Sequence, residues 1–174
     1  MWYRPVSDRL MRFFSNPKDA ELMQWWDSDK HKKGDRKLQH LADARQWKKF
    51  DEQYYLEFGK DPRNVRFALS TDGMNPFGDM TSTHSTWPVI LTMYNLPTWL
   101  CQKRKYLLLS ILIQGRKHHG IDIGVFLEPL MLEMETLWKE GIDMFDGFTR
   151  QTFNLTVIIF TTIHDYQALF VLSG

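Results

Sequence analysis

The sequence has a single cysteine, Cys101, which excludes an internal disulfide and any thiolate metal cluster. A lone thiol fits a reducing compartment, so an intracellular protein with no disulfide-linked partner is predicted. Flanked by Trp99 and Leu100, it reads as a packed thiol rather than a nucleophile. No apolar run approaches the ~18 residues a membrane span needs. The longest runs, 106–113 and 155–163, are strand-sized, and no membrane partner is expected. The opening Met1-Trp2-Tyr3-Arg4-Pro5 has no apolar signal core, which predicts a protein that is not secreted. Walker loops, Gly-x-Ser-x-Gly elbows, dinucleotide fingerprints, internal repeats and low-complexity tracts are all missing. His84, His118, His119 and His164 have no cysteine companions, so zinc is not expected.

What is there describes an ordinary globular chain. Its 174 residues, 43% apolar and 25% charged, suffice for one domain with a real core. Seven Trp and twelve Phe promise a heavily packed interior or a stacking surface. The net charge of +1 hides a strong asymmetry. Residues 29–49 carry eight Lys or Arg against three Asp, whereas 122–146 carry seven acids against Lys139 alone. Lys30, Lys32, Lys33, Arg36 and Lys37 are therefore candidate contacts to a polyanion, DNA above all, with a solvated helix face as the alternative.

Two regions follow from texture. Residues 1–60 read as a helical, basic N-terminal region, with a helix start at Ser15-Asn16-Pro17. Trp25, Trp26 and Trp47 there suit packing against the next region or stacking on nucleic acid. Residues 61–174 read as α/β. Val65, Phe67 and Leu69 alternate with Arg66, Ala68 and Ser70, a first strand that ends at Asp72-Gly73. Residues 89–94 and 106–113 are second and third strands whose continuous apolar runs call for cover on both faces. Ile123, Phe126, Leu127, Leu130, Met134, Leu137 and Trp138 then fall on one helical stripe, with Asp122 as N-cap and Gly141 as terminator. Pro129 is awkward inside that helix. Residues 153–163 form a fourth strand that delivers His164-Asp165.

Asp72 and Asp165 each follow an apolar strand, with a helix crossover between the third strand and the fourth. Such a crossover returns the chain parallel to an earlier strand, and ligands gather at the carboxyl ends of parallel strands. If strand four lies beside strand one, both carboxylates meet there. Close carboxylates repel unless a cation compensates, which is how such pairs hold divalent metal. An Asp-Gly turn and a simple strand cap remain the competing reading.

The run from Asp61-Pro62-Arg63-Asn64 through Thr71-Asp72-Gly73-Met74-Asn75-Pro76-Phe77-Gly78 resembles the first-acid block of plant CACTA (En/Spm-type) transposases. Trp87-Pro88, Tyr94-Asn95-Leu96-Pro97, Leu127-Glu128-Pro129-Leu130, Glu140-Gly141 and Thr162-Ile163-His164-Asp165 extend the resemblance, in order, over nearly the whole chain. It implies a partial RNase H-like fold, β-β-β-α-β, truncated before its C-terminal helices, in a DDE-type transposase. By the same resemblance Asp72 and Asp165 would be catalytic and metal-binding, with Mg²⁺ or Mn²⁺ as cofactor and a third acid expected further on. Transposon-end DNA and full-length transposase are the implied partners, and the nucleus the implied location. Tyr166-Gln167 and Gly124 depart from the family pattern, as a degenerate or truncated copy would. The expectation is a transposase fragment, inactive alone. The alternative is a non-catalytic DNA-binding or transposase-pairing remnant, a domesticated or decoy protein.

Overall fold

The computed structural model describes residues 1–28, 38–73, 85–115 and 123–164. Seven strands are described: β1 (Trp2–Tyr3), β2 (Val65–Thr71), β3 (Ser85–Met93), β4 (Leu107–Gly115), β5 (Ile142–Asp146), β6 (Gln151–Leu155) and β7 (Val157–Ile163). The principal helices are α1 (Ser7–Ser15), α2 (Pro17–Met23) and α3 (Ile123–Lys139). Five strands form one mixed sheet in the order β1-β4-β3-β2-β7, and β5 with β6 makes a separate antiparallel hairpin. Within the sheet every pair is antiparallel except β2 with β7, which runs parallel. The α/β reading and the parallel return of the fourth main strand beside the first are therefore observed.

The apolar stripe of α3 docks as its spacing requires. Ile123, Leu127, Leu130, Met134 and Leu137 are buried and share one hydrophobic cluster with Phe67, Leu69, Val89, Leu91, Ile111 and Ile113. Leu10 and Phe14 of α1, with Ala20 and Met23 of α2, join that same cluster. Asn16 caps α2 by accepting from the amides of Lys18 (3.0 Å) and Asp19 (3.3 Å), with Pro17 in the first turn as read from the sequence. Gly141 follows α3 at φ +70, the left-handed conformation that glycine adopts without a Cβ clash. Pro129 does lie inside α3, and the helix continues through it.

The opposite face of β2 is covered by residues 40–60. Arg66 is fully buried, although simple alternation with Val65 and Phe67 would leave it half-exposed. Its guanidinium lies 4.2 Å from the ring centre of Trp47, 4.6 Å from Phe58 and 5.3 Å from Trp26, and it pairs with Asp51. Trp47 also packs on Phe160 of β7 at 5.5 Å. A register shift in the β2–β7 ladder leaves Phe160 unpaired between Ile159 and Thr161, and its ring meets Trp47 and Phe50. Trp26 and Trp47 thus serve packing.

Three features differ from the sequence reading. The run 153–163 is two strands, because the Thr156 amide donates to Asn64 Oδ1 (2.9 Å) and the ladder changes partner there. β5 was not anticipated, although Ile142, Met144 and Asp146 point inward in strict alternation with exposed Asp143 and Phe145. β1 adds a two-residue edge to β4. Its neighbour α1 has Val6 at the N-cap and no capping side chain of its own. Glu133 of α3 supplies one instead, accepting from the Val6 amide (2.9 Å), the Ser7 amide and hydroxyl (both 2.9 Å) and the Tyr3 hydroxyl.

Candidate functional site at the sheet edge

β2, β4 and β7 run in one direction, so Thr71, Gly115 and Ile163 end at the same edge of the sheet, where β3 and α3 begin. Loops at such an edge carry ligands in α/β proteins. The last β2–β3 pair is Thr71 with Val89, and the next residue of β3 is Pro88, which has no amide to donate. Asp72 therefore leaves the ladder and is exposed. β7 ends level with β2. Ser70 pairs with Ile163, and His164 Nδ1 lies 3.5 Å from the Thr71 carbonyl oxygen.

The Asp72-Gly73 segment, where the chain leaves β2, rests on a ring. A Cβ built on Gly73 would meet Trp87 Cζ2 at 2.7 Å, Cε2 at 2.8 Å and Nε1 at 3.2 Å, inside any tolerable contact. Trp87 is buried, and its indole nitrogen has no hydrogen-bond partner among the described residues. The same holds for the hydroxyl of buried Thr71.

Of the predicted metal- and DNA-binding residues, Asp72 is the one the structure describes. Asp165 and the basic residues Lys30, Lys32, Lys33, Arg36 and Lys37 lie outside the described residues, as do His84, His118 and His119. Among the described residues, no group of three or more His, Cys, Asp and Glu converges to hold a metal. The donor chemistry of Asp72, an exposed hard-oxygen carboxylate at a sheet edge, does suit Mg²⁺. Cys101 is a packed thiol: it is buried, donates to the Leu96 carbonyl (3.1 Å), and burial pushes its pKa up to about 11. No described helix is long and apolar enough to cross a membrane.

The residue block around Asp72 divides into support and site. Arg63 chelates Asp61 through Nε and Nη2 (2.8 and 2.6 Å), and its guanidinium covers the Phe153 ring at 3.8 Å. The Asn64 side chain donates to Phe58 O (2.9 Å) and accepts from Thr156 N. Asn95 accepts from Arg66 N (2.9 Å) and donates to Asn64 O (2.8 Å). These groups tie β2 to its neighbours, and Asp72 has no hydrogen-bond or ion-pair partner among the described residues.

Two acids of the run 122–146 have structural roles. Glu133 caps α1, and Asp146 is fully buried, accepting from the Phe148 amide (2.9 Å) and Gln24 (3.0 Å). Sequence reasoning missed Trp87, Thr71 and Glu133. The Trp87-Pro88 pair beside Asp72-Gly73 was visible, but nothing local says that the ring lies under the glycine.

No curated protein and no solved structure matches the chain. The model of transposase family tnp2 matches residues 35–174, most of the length, with both Asp72 and Asp165 inside the matched stretch, and the chain belongs to that transposase family.

Proposed function

We propose that this chain carries the core sheet of an RNase H-like DDE transposase of CACTA type, with Asp72 and Asp165 as two of its metal-binding acids. The observation that carries the proposal is the level ending of parallel β2 and β7, with His164 against Thr71. Asp72 follows one strand end and Asp165 is joined to His164 by a single peptide bond. The connectivity supports the fold: three antiparallel strands, a helix, and a fourth main strand that returns parallel to the first. The β5–β6 hairpin is then an insertion between helix and returning strand.

Asp72 and Asp165 would hold Mg²⁺ or Mn²⁺ through carboxylate oxygens. When bound, a pair of such ions activates the attacking hydroxyl and stabilises the leaving oxygen at a DNA phosphodiester. The chain's own part is to end two hydrogen-bonded strands level with each other, so that the segments carrying the two acids leave from one edge of the sheet.

Retention of duplex DNA, measured with and without Mg²⁺, tests the reading. Mg²⁺ is held by carboxylates together with substrate phosphates, so the metal should tighten DNA binding and Asp72→Ala should abolish the gain. DNA binding that ignores both the metal and Asp72 contradicts the proposal and favours a DNA-binding remnant without chemistry.

A further inference from the structure

We propose that Trp87 is a positioning residue for the Asp72 carboxylate: its indole is the floor under the Asp72-Gly73 segment, and its presence is why a glycine follows the acid. The inference rests on the metal-site reading of Asp72 and adds to it the element that holds the ligand still.

Two observations carry it. The first is contact. The Cβ position of Gly73 falls 2.7 and 2.8 Å from indole carbons of Trp87, where ordinary contact needs about 3.5–4.0 Å. Any side chain there must displace either the ring or the Gly73 backbone by roughly 1 Å. The ring has little room to yield, because Trp87 is 6% exposed and belongs to the central cluster with Val89 and Ile113. The displacement therefore falls on the Gly73 backbone, and Asp72 is bonded directly to it. Metal ligation tolerates errors of only about 0.2 Å.

The second observation is a polar cost left unrelieved. The indole N–H is a donor with no acceptor among the described residues, and burying such a group is unfavourable. A phenylalanine would avoid that cost yet reach less far. Having the larger ring is explained if its side from Nε1 through Cε2 to Cζ2 is the part in use. Buried polar groups without partners are rare, and each calls for a reason. Of the four such atoms among the described residues, Trp87 Nε1 and Thr71 Oγ1 flank the candidate acid, and Trp47 Nε1 and Arg66 Nε lie in the packing around Asp51.

The test is a double-mutant cycle on the full chain, read as Mn²⁺ affinity by calorimetry with unfolding temperature recorded alongside. Gly73→Ala should weaken Mn²⁺ binding tenfold or more. In a Trp87→Phe background, where the shorter ring makes room, the same change should cost less than twofold. A purely structural contact would lower the unfolding temperature and leave the affinity ratio alone. Equal losses in both backgrounds, or Asp72-dependent binding indifferent to Gly73, overturns the floor. Mn²⁺ binding that survives Asp72→Ala overturns the metal-site reading beneath it, a distinct result.

A second measurement needs no variant of Gly73. In 5-fluorotryptophan protein, Mn²⁺ should broaden the Trp87 fluorine resonance, assigned by its loss in Trp87→Phe, more than that of Trp99. Trp99 follows the far end of β3, at the opposite edge of the sheet. Equal broadening of the two at saturating Mn²⁺ contradicts the placement.

Discussion

Arg66 and Asp51 form an ion pair between the central strand β2 and the segment that covers it, with the guanidinium fully buried among Trp47, Phe58 and Trp26. Burial pushes the Asp51 pKa up against the pull of Arg66, and burial likewise lowers that of Arg66. Both groups lose hydration, so the pair serves to join two elements more than to add net stability.

That relationship has a mutational consequence. Asp51→Asn leaves the Arg66 charge buried without its counter-ion and should destabilise the chain by about 3–5 kcal/mol. Replacing both, as Arg66→Met with Asp51→Leu, should cost much less. Urea unfolding midpoints of the parent, Asp51→Asn, Asp51→Leu, Arg66→Met and the Arg66→Met/Asp51→Leu double variant measure the difference. Additive losses would show that the two side chains do not act as a pair.

Glu133 should make stability depend on acid. Burial raises its pKa, but hydrogen bonds from Ser7, Tyr3 and Val6 outweigh that and hold it below the usual 4.5. A carboxyl whose folded pKa is depressed contributes stability above its unfolded value and loses it as pH falls through the folded one. Unfolding temperature should therefore drop as pH is lowered below about 4.5. Glu133→Gln should be less stable at pH 7 by about 2 kcal/mol, with a flatter acid limb. An acid limb identical to that of the parent would remove Glu133 from this role.

The basic run should act through phosphate charge. Neutralising Lys30, Lys32, Lys33, Arg36 and Lys37 together should reduce the salt slope of DNA binding by up to about 4.5, since each phosphate contact contributes roughly 0.9. Fluorescence anisotropy across a salt series in EDTA isolates this effect from the metal. An unchanged slope returns these residues to a solvated surface.

Legibility followed how local the cause was. α3 could be read because its stripe is a property of one segment, and β2 because it alternates and ends at Asp72-Gly73. The parallel return of β7 followed from the crossover rule. The split at Thr156 was hidden because its cause is Asn64, on the far side of five strands and α3 in sequence. Glu133 looked like any solvated helix acid, since its four donors lie at the other end of the chain. Arg66 looked like the polar half of an alternating strand until residues 40–60 covered that face. Asp72 was legible as a candidate. The ring beneath its neighbour was not, because only three-dimensional register brings Trp87 under Gly73.

The central claim is that Asp72 and Asp165 serve one metal site at the level ends of β2 and β7. Mn²⁺ titration of the parent, Asp72→Ala, Asp165→Ala and the double variant tests it most directly. A shared site predicts that either single change removes most of the affinity and that the second adds little, because the remaining carboxylate has lost its partner. Independent, additive losses, or affinity that survives both changes, would contradict a shared site.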